Sequence, residues 1–480
     1  MPHRTAGGAA AAVALAALAL VACTSTTAGR GSSALTPTTS GGPTSSATSS
    51  SPTPDPGDCH TYAEPDPDRP RMALSFTIAA DHQTVVGHEQ IVFHPDLPIT
   101  ELVFRLTANT RPSVDEGNGI EVTAASADQG AGRFTFTAAN ASPLTQGGLL
   151  HIPFAEQVPA GTEVTATIDF TLTLGRDSFD RFGTSGGFVY FGSGEPLLAW
   201  ERGFGWHTED MINFPAESAT SEAMDVDLTV TAPAKDTVIM SGDPAAPAPG
   251  GTTRTWHSTI STARDVSVAA GPFVVSDTVV DGVKLRLGAY SAAVRDALVP
   301  QFRRAIVELA KRFGPFPFPS LSVARLPAQG GGIEYPSSIL MLDGSQLVVV
   351  HETAHQYFYA MVGDSQALHP WLDEAFATYA EQLVNGDQPN DGGLTAPGDV
   401  DRSTESYGHD VSSYYFITYN KGADALWAAR EAAGATQWDA ALRCYVAANA
   451  WRIANPADLR AALAELPDAI SELEQAGALR

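Results

Sequence analysis

The segment that most constrains the fold is Val348–Gln356, an apolar run that leads into the pattern His-Glu-x-x-His. On an α-helix, His351 and His355 lie on one face about a turn apart, so both imidazoles can point at one metal ion. Glu352 follows the first of these candidate ligands, where a general base for an attacking water belongs. The pattern alone arises by chance in roughly one of a hundred chains of this composition. The assignment therefore depends on a third ligand.

The candidate third ligand is Glu374, early in a second predicted helix that starts near Trp371. Hydrolytic zinc sites use three protein ligands and keep a fourth position open, and two histidines with one glutamate meet that requirement. The alternative is a pair of surface histidines, but the valine run before His351 favours a buried helix face. The sequence therefore predicts one Zn²⁺ ion held by His351, His355 and Glu374.

Both halves of this motif, with eighteen residues between His355 and Glu374, resemble the zinc motif of the gluzincin aminopeptidases. That family is typified by aminopeptidase N and leukotriene-A hydrolase. The resemblance covers roughly residues 70–470 and is specific in the zinc and tyrosine motifs. It implies an α+β multidomain fold, with a saddle-like N-terminal sheet domain before a thermolysin-like, mainly helical zinc peptidase domain. Too few residues follow to build the large C-terminal helical domain of the larger relatives.

The segment Gly331–Tyr335 resembles the family's Gly-Ala-Met-Glu-Asn segment imperfectly. The resemblance implies that Gly331 and Gly332 form an edge of the cleft and that Glu334 holds the free amino group of the substrate. Glycines let a backbone approach a ligand closely. Tyr335 replaces the family's asparagine, and a simple glycine-rich turn is the alternative.

Two further segments match the family in part. Tyr419 precedes Asn-Lys-Gly-Ala, which resembles the family's Tyr-Glu-Lys-Gly-Ala, and the resemblance implies that its hydroxyl stabilises the oxyanion. A buried core tyrosine is the alternative.

The segment Phe191–Pro196 lies where relatives carry a Gln or Glu that helps hold the substrate's amino terminus, and Ser193 takes that position. Glu195 is a possible substitute, although an ordinary loop glutamate is the favoured interpretation.

Composition sets the class of protein. The chain has 480 residues, 44% of them hydrophobic, which favours two or three globular domains. Its formal net charge of −26 excludes nucleic acid as a partner, because phosphate binding needs clustered Lys and Arg. The sequence indicates no oligomeric state.

Residues 1–23 resemble a bacterial lipoprotein signal, with Cys23 as the lipidated residue after cleavage. An ordinary secretory signal and a transmembrane anchor are the alternatives, the latter disfavoured by a short, Ala-rich apolar run. Residues 24–58 are mainly Ser, Thr, Pro, Gly and Ala and predict a flexible tether. We therefore expect an exported protein held by its lipid on the extracytoplasmic face of the cell membrane.

In an oxidising compartment, Cys59 and Cys444 are the two remaining thiols. A disulfide between them is the expected arrangement, and two independently buried free thiols are the alternative because no spacing motif supports the pair.

Periodicity divides the rest of the chain. Alternating apolar residues predict a β-rich domain over residues 59–277. Residues 278–480 are predicted to form the catalytic domain with C-terminal helices. A helix is expected to end near Phe313 before Gly314, with Pro300 kinking it or dividing it in two.

The leading hypothesis is a zinc aminopeptidase that removes N-terminal residues from extracytoplasmic peptides. A zinc hydrolase of the same fold that is not an exopeptidase is one alternative. A catalytically silent surface binding lipoprotein is the other, which the retained chemical residues disfavour.

Overall fold

The computed structural model describes residues 59, 61–178, 181–216, 220–248, 250–387, 389 and 392–480. The predicted lipidation site Cys23 and the predicted tether, residues 24–58, lie outside the described residues. Within the described ranges, no helix is both long enough and apolar enough to cross a membrane.

The N-terminal half is built from strands in three sheets and a short hairpin. The largest sheet has six strands in the order β15 (Thr253–Ala263), β13 (Met224–Pro233), β1 (Arg71–Ile78), β2 (Thr84–Phe93), β7 (Val164–Thr173) and β4 (Gly119–Ala127). The second has four strands in the order β10 (Leu197–Leu198), β3 (Ile99–Arg105), β6 (Leu149–Val158) and β5 (Thr135–Thr137). The third has the order β14 (Thr237–Met240), β16 (Ser267–Gly271), β9 (Phe188–Gly192) and β8 (Phe182–Ser185). The hairpin pairs β11 (Trp200–Glu201) with β12 (Gly205–Trp206).

Side-chain alternation explains the six-stranded sheet. In β1, Leu74, Phe76 and Ile78 are buried while the residues between them are not, which is the period of a strand with one buried face. Strand β1 pairs in parallel with β13 and antiparallel with β2. The buried faces of these strands form one apolar core with β3 and β6 of the second sheet.

A fifth sheet connects the two halves of the chain. Its strands have the order β17 (Val274–Val280), β18 (Val283–Ala289), β19 (Ser320–Arg325), β21 (Ser338–Met341) and β20 (Gly332–Tyr335). The predicted domain boundary between residues 277 and 278 falls inside β17, which pairs with β18 along its whole length. The last pair of strands joins β22 (Val362–Gly363) to β23 (Arg452–Ile453).

The second half is mainly helical. The helices are α1 (Arg111–Asp115), which lies in the sheet region, α2 (Ala292–Phe313), α3 (Gln346–Ala354), α4 (Trp371–Asn385), α5 (Val411–Tyr414), α6 (Gly422–Ala433), α7 (Ala435–Ala448), α8 (Pro456–Ala462) and α9 (Pro467–Gln475). Two short 3-10 helices cover Thr107–Asn109 and Thr404–Tyr407, and a π-helix covers Tyr415–Lys421.

Helix α2 shows how tertiary packing overrides the tendency of proline to break a helix. It runs through Pro300 as one helix and ends at Phe313, where the N–H of Gly314 bonds the carbonyl of Ala310. The expectation of a helix divided in two at Pro300 is therefore wrong. Phe302 and Ile306 are fully buried against the five-stranded sheet and the other helices, and this packing compensates for the hydrogen bond that proline cannot donate.

The start of the described chain is fastened to the C-terminal helices. Cys59 and Cys444 form a disulfide. The N–H of Ala63 also bonds the carbonyl of Ala447 at 2.8 Å, one turn farther along α7. The segment that leads into β1 is thus held against the helical region before it enters the sheet.

Candidate active site

Helix α3 places the first two candidate ligands. It begins after Ser345, whose hydroxyl accepts from the N–H of Val348, and its Val349 and Val350 are buried in the helical core. The helix ends at Ala354. His355 caps it with helical backbone angles of φ −60° and ψ −15°, so it stays on the face of His351, and the two ring centroids are 4.7 Å apart.

Helix α4 brings Glu374 to the same point from its first turn. Glu374 Oε2 lies 3.3 Å from His351 Nε2 and 3.4 Å from His355 Nε2, and a donor atom of each residue lies within 4.8 Å of the others. Ligand atoms about 2.0–2.1 Å from a tetrahedral zinc ion lie about 3.3–3.4 Å from one another. The two nitrogens and the carboxylate oxygen therefore fit the donor set and the spacing of a zinc site.

His355 is fixed by a buried carboxylate that sequence analysis did not single out. Asp373 Oδ1 lies 2.5 Å from His355 Nδ1, and both side chains are about 1% exposed or less. His355 Nδ1 also lies 3.1 Å from the carbonyl oxygen of Phe358. Because a carbonyl can only accept, Nδ1 carries a proton, and Nε2 is the ring nitrogen that faces Glu374. Gln366 holds Asp373 in turn through a 3.1 Å hydrogen bond.

The side chain of His351 is held less tightly than that of His355. Its Nδ1 lies 3.4 Å from Glu381 Oε2, and its side chain is 13% exposed. Burial acts to lower the pKa of His351, but the hydrogen bonds with Glu374 and Glu381 outweigh burial and raise the pKa to about 9. Burial likewise acts to raise the pKa of Glu374, but the bonds from His351 and His355 lower it.

Glu352, the candidate general base, lies under the strand edge that carries the two predicted cleft glycines. A Cβ atom on Gly332 would lie 2.3 Å from Cγ of Glu352, so a larger residue here would have to displace the side chain of Glu352. Gly331 borders open space and accepts hydrogen bonds from the N–H groups of Leu342 and Asp343 at 2.9 and 2.8 Å.

Glu334 lies on β20 and is 5% exposed. One of its oxygens is within 4.8 Å of donor atoms of both His355 and Asp373, so it approaches the site from the His355 side. Tyr335 follows it in the strand and is packed over Gly192, where a Cβ would lie 2.0 Å from the ring. Because side chains alternate along a strand, Tyr335 and Glu334 lie on opposite faces of β20.

Gln356 joins this strand to the segment directly after helix α3. Its side-chain amide donates to the carbonyl of Tyr335 at 3.0 Å and accepts from the N–H of Ser337 at 2.9 Å. It therefore ties the strand that carries Glu334 to the segment that carries His355. Its position directly after His355 in the sequence was the available signal.

Ser193 and Glu195 make their contacts in the sheet region. Ser193 Oγ donates to Asp265 Oδ2 at 2.5 Å, and Glu195 Oε1 accepts from the N–H of Val266 at 3.1 Å. Burial, with the nearby charge of Asp265, raises the pKa of Glu195 to about 8. A buried structural glutamate fits these contacts better than a ligand for the substrate.

Tyr419 lies on the π-helix, and its hydroxyl donates a hydrogen bond to Glu374 Oε1. Its ring is parallel to that of His351, with the centroids 6.0 Å apart. The hydroxyl is therefore next to the three candidate ligands, on the His351 side of the site.

No family model matches the chain. Aminopeptidase M1 of Arabidopsis thaliana is 24% identical over 236 residues, which are 41% of this chain and 27% of that protein. Aminopeptidase M1-C of Oryza sativa subsp. japonica is 26% identical over 186 residues, which are 32% of this chain and 21% of that protein. The chain thus matches about a quarter of the length of these curated relatives.

Solved structures match over most of the chain. The M1 zinc metallopeptidase of Deinococcus radiodurans aligns with a TM-score of 0.64 and 20% identity, covering 85% of this chain and 93% of that one. A mutant of that enzyme bound to a Tyr-Ser-Ala substrate aligns with the same TM-score and 19% identity, over 86% of this chain and 94% of that one. The chain therefore has the fold of the M1 zinc metallopeptidases, a sheet-rich N-terminal region followed by a largely helical region.

Proposed function

We propose that this protein is a zinc-dependent aminopeptidase. The observation that carries the proposal is the convergence of His351, His355 and Glu374 at zinc spacing, with Glu352 and the hydroxyl of Tyr419 beside them. When bound, the zinc ion supplies a Lewis acid that polarises the scissile carbonyl and activates water. The aminopeptidase relatives and the M1 zinc metallopeptidase fold support this assignment.

The remaining catalytic roles belong to residues of the chain. Glu352 takes a proton from the attacking water and delivers one to the leaving amine. Tyr419 donates a hydrogen bond to the developing oxyanion, and its single hydroxyl proton, which bonds Glu374 in this structure, turns to the oxyanion when substrate is bound. Asp373 and Glu381 hold the two imidazoles in the orientation that the ligand set requires.

Glu334 is the residue that would make the proposed enzyme an exopeptidase. Its carboxylate is buried on the cleft edge on the His355 side, where it can accept a charge-assisted hydrogen bond from the ammonium group of a substrate. A substrate held in this way presents the peptide bond after its first residue. A blocked amino terminus would leave the buried carboxylate without its cationic partner, which weakens binding of the transition state.

The test compares one short peptide with a free and an acetylated amino terminus, on the wild-type protein and on Glu334→Ala, together with metal analysis. We expect one zinc per chain, cleavage after the first residue of the free peptide, and at least about a hundredfold slower cleavage of the acetylated one. Glu334→Ala should remove most of this preference. Equal cleavage of both peptides by the wild type would indicate an endopeptidase instead.

We further propose that the protein acts outside the cytoplasm as a lipoprotein anchored through Cys23. The support is the short apolar segment that ends in Leu-Val-Ala before this cysteine, followed by a Ser/Thr/Pro-rich stretch. The disulfide of Cys59 with Cys444 also suits an oxidising compartment. Cys23→Ala should move the protein from the membrane fraction to the soluble fraction, and an unchanged membrane fraction would place the anchor elsewhere.

A further inference from the structure

The π-helix that carries Tyr419 is fixed firmly at one end. It runs from Tyr415 to Lys421, and the ammonium group of Lys421 donates to the carbonyls of Ala396 and Gly398 at 2.8 and 2.6 Å. The next residue, Gly422, packs so closely on helix α4 that a Cβ would lie 2.5 Å from that of Ala375. The C-terminal end of the π-helix therefore has little freedom to move.

The other end lies at the surface. Helix α5, which leads into it, has only four residues, and the side chains of Tyr415 and Phe416 are 40% and 41% exposed. π-Helices are rare and occur mostly as short stretches at functional sites, because their backbone geometry is less favourable than that of an α-helix. Ile417 and Thr418 are buried on one side of this first turn, and the exposed side needs contacts of its own with the rest of the fold to keep one conformation.

Tyr415 makes such a contact with the sheet region. Its hydroxyl donates to the carbonyl oxygen of Pro215 at 2.7 Å, across 200 positions of sequence. The neighbouring Phe214 is buried and lies 5.1 Å from the ring of Tyr414. The ring of Tyr415 also lies 5.1 Å from that of Tyr419. A connected set of aromatic rings thus links residues 214–215 to the tyrosine at the metal site.

We propose that Tyr415 is a positioning residue for Tyr419, which fastens the first turn of the π-helix to the sheet region at Pro215. The inference rests on the proposed function, in which the Tyr419 hydroxyl stabilises the oxyanion. The strength of that hydrogen bond depends steeply on distance and angle, so a small displacement of the π-helix reduces turnover without changing the metal ligands.

The test is a double-mutant cycle with Tyr415→Phe and Tyr419→Phe, measuring kcat, KM, zinc content and the thermal midpoint. Tyr415→Phe keeps the ring and removes only the hydroxyl. We expect it to lower kcat about three- to tenfold, with KM within about twofold and unchanged zinc content. In the Tyr419→Phe background, the same substitution should have no further effect on kcat. Phe416→Leu, at the equally exposed neighbouring position, is the matched control and should retain wild-type kcat.

Other outcomes separate this inference from the proposed function. An unchanged kcat for Tyr415→Phe, or an equal loss in both backgrounds, would overturn the positioning role while the hydrolase assignment stands. Wild-type turnover by Tyr419→Phe would overturn the proposed role of Tyr419 and the inference with it. A purely structural role for Tyr415 would lower the thermal midpoint and give the same loss of kcat in both backgrounds.

Discussion

The two histidines of the candidate site are held in different ways. His355 is 1% exposed, and its Nδ1 lies 2.5 Å from Asp373, which is fully buried and fixed by Gln366. His351 is 13% exposed, its Nδ1 lies 3.4 Å from Glu381, and the ring of Tyr419 lies parallel to its own. One candidate ligand is thus enclosed by the core, and the other faces the π-helix.

The His355 side and the His351 side of the candidate site carry different proposed functional groups. Glu334, the proposed contact for the substrate's amino group, approaches from the His355 side. Tyr419, the proposed oxyanion donor, lies on the His351 side. We therefore propose that the rigid side sets where the substrate is bound and that the looser side carries the group that meets a charge developing during the reaction.

The largest expected effect comes from the residue that the two sides share. Glu374 lies within 3.4 Å of both imidazoles, so Glu374→Ala should lose zinc and all measurable hydrolysis together. Glu352→Gln is the matched comparison, because it should keep zinc and lose nearly all hydrolysis. Metal analysis and a peptidase assay on the same preparations check both. Wild-type rates for Glu352→Gln would refute its assignment as the base.

The second prediction concerns the looser side. Tyr419→Phe removes the hydroxyl that bonds Glu374 and keeps the ring beside His351. We expect zinc affinity to change little and kcat to fall by roughly a hundredfold or more, the usual effect of losing one oxyanion donor. Steady-state kinetics and a competitive chelator titration measure the two quantities separately. A loss of zinc affinity that matched the loss of kcat would mean that Tyr419 acts mainly on the ligand set.

The third prediction concerns the enclosed side. Asp373→Ala removes the buried carboxylate from Nδ1 of His355, and we expect zinc affinity to fall by roughly 10- to 100-fold. Asp373→Asn is the matched control, because it keeps an oxygen beside Nδ1 and removes only the charge, and it should preserve most of the affinity. An equal loss in both variants would show that the charge of Asp373 matters more than the presence of an oxygen beside Nδ1.

Part of the fold and of the candidate site could be predicted from the sequence alone. His351, His355 and Glu374 follow from spacing along two helices, and the buried faces of β1 and β13 follow from alternation. These features depend on local periodicity, and their residues meet in the structure as the patterns require.

The remaining features depend on contacts between distant segments. The bond from Tyr415 to Pro215 spans 200 positions, and Gln366 reaches Asp373 from a connecting loop. Neither contact leaves a periodic pattern in the amino-acid sequence. The continuity of α2 through Pro300 is a similar case, because burial of one helix face against the sheet outweighs the local preference of proline.

The smallest expected effect is that of Glu381→Gln, and it depends on pH. The contact with Glu381 helps to raise the pKa of His351 to about 9, so at lower pH a proton competes with zinc for this histidine. For the wild type, zinc affinity should therefore increase from pH 6 to pH 8, and the pKa of His355, which burial acts to lower but the charge of Asp373 raises, acts in the same direction. Glu381→Gln weakens the orientation of the imidazole, which should cost a few-fold in affinity, less than Asp373→Ala, because the contact is longer and His351 is partly exposed.

The same substitution also lowers the pKa of His351, since it removes one of the groups that stabilise the protonated imidazole. Proton competition then weakens, and this gain partly offsets the loss of orientation at low pH. Competitive chelator titrations at pH 6 and pH 8 should accordingly show a smaller deficit for Glu381→Gln at pH 6 than at pH 8. A deficit that is equal at the two values would mean that Glu381 orients His351 without affecting its protonation, and the contrast between the two histidines would then be one of geometry alone.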